Sequence, residues 1–150
     1  MADVYFYHLT ERPLEATLPV LLARATGSGW RVAVRGRDTT RLQHLDASLW
    51  QGDGFLPHGL AGGAHDAAQP VLLTTGEATN APQCLMVVDG AEVTAEEAAS
   101  LERVCVLFNG LEESAVEGAR AQWRTLTSAG VKAKYWAEEG GRWEMKAESG

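Results

Sequence analysis

Three side chains in the second half of the sequence have types and spacing suited to holding an anion. Arg120, Trp123 and Arg124 stand at i, i+3 and i+4, so a helix carrying them places all three on neighbouring surface. The planar fork of arginine matches a carboxylate, and charge-assisted hydrogen bonds make that contact strong. An indole ring beside the arginines offers contact to an apolar side chain. Val116, one turn before Arg120, continues the strip. These residues suit a slot for an acidic peptide with an apolar end. They equally fit a half-buried tryptophan whose arginines pair with Glu117 or Glu113. A second cluster lies in Leu49–Pro57, where Trp50 and Phe55 stand among glycines. It reads either as a small core beneath a loop or as an exposed patch for a protein partner, since aromatics are enriched at interface hot spots.

Catalytic chemistry finds less support. The histidines are His8, His44, His58 and His65, and no pair has the i, i+4 spacing of a metal site. His58, in Leu56–Leu60, has no acid or base beside it in sequence and reads as a loop-backbone hydrogen-bonder. No serine lies in a G-x-S-x-G elbow. Cys105 sits among apolar neighbours, as an inert buried thiol does. Cys84 and Cys105 have neither metal spacing nor a disulfide framework and read as reduced cytosolic thiols. The segment after the first expected strand, His8–Pro13, contains no glycine, so the usual phosphate cradle of a doubly wound sheet is missing. The expectation is no catalytic residue, no metal and no cofactor.

The elements that must position these residues alternate. Apolar, β-rich runs at Val4–Tyr7, Arg31–Arg35, Pro70–Thr74, Cys84–Val88 and Val104–Phe108 read as strands. Those at 70–74 and 84–88 are unbroken, as in strands covered on both faces. Helical spacing runs from Leu14 to about Thr26, with a start near Thr17 that would put Pro19 in the first turn. A second helix follows Asp38, with Leu42, Leu45 and Leu49 on its inner face. Residues 51–70 read as one long loop. Thr94 is placed to cap an acidic helix over 95–101. The last helix spans Glu112 to Ala129, with Leu111, Ala115, Ala119, Gln122 and Leu126 as its packed face and Trp123 at the edge. A terminal hairpin turns at Glu139–Gly141. The alternation predicts a single α/β domain over 1–150, a sandwich around a mainly parallel sheet.

Charge narrows the partners. The 150 residues carry a net charge of −7, with −1 in residues 1–75 and −6 in residues 76–150. Such a surface repels phosphate backbones, which argues against a dedicated DNA grip and leaves room only for a local basic patch. No run of 18 apolar residues exists, and the N-terminus lacks a signal-peptide pattern. The expected location is the cytoplasm.

The strings Leu45–Trp50, Phe55–Gly62 and Gln69–Leu73, with Ala119–Arg124, Tyr135–Trp136 and Gly141–Trp143, resemble the chi subunit of bacterial DNA polymerase III over nearly the whole chain. The resemblance implies a Rossmann-like three-layer α/β fold without a working nucleotide site, and a non-catalytic role. It implies an adaptor that joins the clamp loader, through the psi subunit, to the acidic C-terminal tail of single-stranded-DNA-binding protein, touching DNA only indirectly. On this sequence the tail contact falls on Arg120, Trp123 and Arg124, and the psi contact on Trp50 and Phe55. Val116 stands where some relatives carry a basic residue. The alternative from the α/β order is a nucleotide-binding enzyme or helicase-like fragment.

Overall fold

The structure is a computed structural model that describes residues 3–51 and 57–149. Eight strands form one sheet: β1 (Asp3–Leu9), β2 (Val32–Arg35), β3 (Gly59–Leu60), β4 (Val71–Thr74), β5 (Cys84–Val87), β6 (Arg103–Asn109), β7 (Ala133–Glu139) and β8 (Arg142–Ser149). Their spatial order is β3-β4-β2-β5-β6-β1-β7-β8. Every pairing is parallel except β7 with β8, the expected hairpin. Among the described residues the α-helices are α1 (Leu14–Gly27), α2 (Thr39–Gln51), α3 (Ala95–Ala99) and α4 (Glu113–Ser128).

Strand alternation divides the core in two. Val32, Val34, Cys84, Met86, Cys105 and Leu107 face α1 and α2. Ala33, Leu85, Val87, Val104, Val106 and Phe108 face α3 and α4. Helices therefore cover both faces of the sheet, and β4 and β5 are buried along their whole length. Parallel strands buried on both sides read as continuous apolar runs for this reason.

Local chemistry sets the helix starts. Asp38 accepts a hydrogen bond from the Thr40 backbone N–H at 2.9 Å. Thr94 and Glu97 form a reciprocal capping box, satisfying two of the N–H groups a helix start leaves open. α1 departs from expectation. It begins at Leu14, so Pro19 lies inside it rather than in the first turn. An interior proline costs ~3 kcal/mol. Leu14 and Leu18, both buried in this stretch, offset it at roughly 1.5–3 kcal/mol each.

Residues 51–70 also differ from a plain loop. They contain β3, which pairs with β4, and a 3-10 turn over Asp66–Ala68. Two-residue parallel strands have no periodicity to read; β3 exists because Gly59 and Leu60 find backbone partners on β4.

Candidate functional site

α4 follows β6, crosses the sheet and leads into β7. Ala119 and Leu126 are its buried residues, and Ala115, Val116 and Trp123 pack against the same core. The packed face is thus centred near Ala119, Trp123 and Leu126. The expected face was turned too far toward Gln122, and Leu111 lies outside the helix with 76% of its surface exposed. The reason is Trp123, whose ring meets Phe6 of β1 edge-on at 5.4 Å between centroids. A tryptophan that can reach the core draws the helix round with it.

At about 100° per residue, Arg120 and Arg124 then lie on the flank beyond Trp123. Both are exposed, while Val116 and Trp123 are half-buried. Among the described residues neither arginine has an ion-pair partner, so the pairing with Glu113 or Glu117 is not formed. The structure brings Val116, Arg120, Trp123 and Arg124 onto one helix.

Two residues that sequence reading missed complete this surface. Tyr135 of β7 meets Trp123 edge-on at 6.2 Å. Its hydroxyl lies 2.6 Å from His8 Nδ1. Burial raises the Tyr135 pKa above the ordinary phenol value, while the nearby Arg120 charge pulls it the other way. His8 also tilts against Phe108 at 5.1 Å. No local pattern could show this, because His8 and Tyr135 are 127 positions apart and meet only through parallel pairing of β1 with β7.

The second cluster lies elsewhere. Trp50, at the end of α2, is 52% exposed, and its ring stacks on His58 at 4.1 Å. Phe55 falls outside the described residues. His58 is buried and its Nε2 donates toward the Asp46 carbonyl at 3.2 Å, so its backbone partner lies on helix α2 rather than on the expected loop. An acid does stand beside it, since Asp46 Oδ1 is 3.1 Å away. α2 lies over β3 and β4, at the opposite end of the sheet from β7 and on the opposite face from α4. With strands ~4.8 Å apart, the six steps from β3 to β7 separate the two surfaces by about 30 Å.

A cleft of about 910 Å³ opens at the C-terminal ends of β1, β5 and β6, on the flank of α4 away from Arg120. β1 leads to a helix on one face and β6 to a helix on the other, so this is where doubly wound sheets bind ligands. Its wall carries Arg12, Arg37 and Arg41 against Glu11, Glu15, Asp89, Glu92 and Glu112. Arg41 is paired with Glu15 and Asp89, and Arg12 with Glu138. Cys105 is buried, and its hydrogen bond with Cys84, together with burial, holds its thiol pKa well above the ordinary value.

Fold and surface define an α/β domain with helices on both faces of its sheet and an outward-facing arginine–aromatic strip. The sequence matches the family model of the DNA polymerase III chi subunit, HolC, over residues 1–134. The chain therefore belongs to the chi subunit family, which supports a role in DNA replication as an accessory subunit of the polymerase complex. Among curated proteins none matches the chain. Among the described residues no helix is long and apolar enough to cross a membrane.

Proposed function

We propose that this chain is a non-catalytic adaptor within the polymerase complex. The α4 flank takes the acidic C-terminal tail of single-stranded-DNA-binding protein, and the Trp50 region takes the psi subunit. The observation that carries this reading is the state of Arg120 and Arg124. They flank a half-buried tryptophan and have no carboxylate of their own chain to answer them, among the described residues. The tail's carboxylates would complete both guanidinium groups, and its terminal apolar side chain would lie on Trp123. The separation of the two surfaces favours simultaneous engagement, which a bridge requires.

The cleft at the strand ends supports the non-nucleotide reading. Five carboxylates line it, two of its three arginines are already paired, and no glycine lies in the β1–α1 turn. A triphosphate would meet like charge there. The chain would work in the cytoplasm, where replication proceeds.

The test is a titration of an acidic peptide ending Asp-Ile-Pro-Phe into the protein. Binding that weakens with salt yet survives it supports the reading, because the aromatic contact is unscreened. Absence of binding contradicts it. For the second surface, Trp50→Ala is expected to weaken psi association by more than about 1 kcal/mol without unfolding the chain. Unchanged association would assign Trp50 to packing within its own chain.

A further inference from the structure

We infer that Tyr135 is a further contact residue of the α4 slot, and that His8 is the positioning residue that holds it there. The inference rests on the tail-binding reading. An occupant whose apolar side chain lies on Trp123 has Tyr135 as the neighbouring ring. That ring meets Trp123 at 6.2 Å, and its hydroxyl lies within the electrostatic reach of Arg120.

The hydrogen bonds assign the roles. A carbonyl only accepts, so His8 Nε2–H donates to the Gly110 carbonyl at 3.3 Å. With the hydrogen on Nε2, Nδ1 is the acceptor, and the Tyr135 hydroxyl donates to it at 2.6 Å. One imidazole thus ties the β6–α4 turn to β7. The fit leaves no space at the turn: a Cβ at Gly110 would stand 1.7 Å from His8 Cδ2. Glycine there is required by the histidine, and the histidine is turned toward Tyr135. Phe108 and Phe6 close the cluster from below, each within 6 Å of one of its rings. Tyr135 is therefore held at a fixed tilt beside Trp123, and an occupant meets a preformed wall.

A double-mutant cycle on the full chain tests this, reading affinity for the Asp-Ile-Pro-Phe peptide by calorimetry and stability by thermal melting. Tyr135→Phe keeps the ring and removes the hydrogen bond; it is expected to lower affinity about three- to tenfold with little change in melting temperature. His8→Leu also removes the Gly110 bond, so it is expected to lower affinity by a similar factor and melting temperature somewhat further, and the double variant to lose almost no further affinity, because the Tyr135 bond is the contact both remove. His8→Asn keeps an acceptor near the Nδ1 position and is expected to recover most of the affinity. Additive losses, or an affinity that follows melting temperature alone, would overturn the positioning role of His8. Full affinity in Tyr135→Ala, with Arg120→Ala still abolishing binding, would overturn the contact role of Tyr135 and leave the tail reading standing. No binding by the unmodified chain would overturn both.

Discussion

The β1–β7 end of the sheet carries aromatic rings and cations on both faces, yet the two faces use them differently. On the α1 side, Arg103 lies 4.0 Å from the centre of the Tyr5 ring and 5.7 Å from that of Trp30. Lys134 lies 5.7 Å from Tyr5 and pairs with Glu148. Tyr7 meets Trp143 edge-on at 5.2 Å, and burial drives its pKa far above the ordinary value. Lys134 has a ring and a carboxylate, and Arg103 lies over two rings while its buried Nε has no hydrogen-bond partner among the described residues. On the α4 side, Trp123 and Tyr135 are equally engaged with the core, but Arg120 and Arg124 stay exposed and unanswered among the described residues. Aromatic and cationic composition is nearly the same on the two faces. In the proposed reading, what sets the α4 face apart is a pair of exposed guanidinium groups that no ring or carboxylate engages among the described residues.

The sharpest way to break this comparison is to reverse a charge on each side. Arg120→Glu is expected to weaken peptide binding by about 30-fold or more, since it adds repulsion to a lost charge-assisted bond. Melting temperature should stay within about 2 °C, because surface substitutions rarely exceed 0.5 kcal/mol. Arg124→Glu should follow the same course and exceed Arg124→Ala. The converse holds for Arg103→Met. It should cost about 1 kcal/mol of stability through its two ring contacts, measured by urea unfolding, and leave peptide affinity unchanged. Peptide affinity that responds to Arg103 and not to Arg120 would invert the assignment of the two faces.

A smaller effect sharpens the same distinction. Arg35 hydrogen-bonds Glu97 at 2.7 Å, and this bond holds the Glu97 carboxyl below its ordinary pKa. A depressed folded pKa gives stability that is present above the unfolded pKa and lost as pH falls through the folded one. Glu97→Gln should therefore be slightly less stable than the unmodified chain at pH 7, by under about 1 kcal/mol because the Glu97 carboxylate is itself partly exposed. The difference should vanish at a pH below the depressed value. Urea midpoints at the two pH values check it. A difference that persists in acid would assign the loss to the Thr94 capping box, which also uses Glu97.

Much of this was legible in the sequence, for reasons that differ by element. The buried strands announce themselves because both faces are covered and no polar residue interrupts them. Asp38 and Thr94 reveal helix starts because capping is a contact between near neighbours. Arg120, Trp123 and Arg124 could be picked out by spacing on one helix. Besides β3, three features were not readable. Pro19 argued locally for a later start to α1, and only the burial of Leu14 and Leu18 overrides it. The rotation of α4 is set by Phe6, which reaches Trp123 from another element. The His8–Tyr135 bond, the least local of these, depends on the order of strands in the sheet, which no window of sequence contains.

The measurement that bears most directly on the central claim compares two peptides that differ at a single group. One ends in Asp-Ile-Pro-Phe with a free carboxylate, and the other is the same sequence amidated at its C-terminus. In the proposed complex that carboxylate lies on the guanidinium groups of the α4 flank and the phenyl ring on Trp123 and Tyr135. Calorimetry at moderate salt should show the free acid binding about tenfold or more tightly, the difference expected when a charge-assisted arginine contact is removed. Equal affinity for the two peptides, or none for either, would contradict the claim that Arg120 and Arg124 are left open for a carboxylate from another chain.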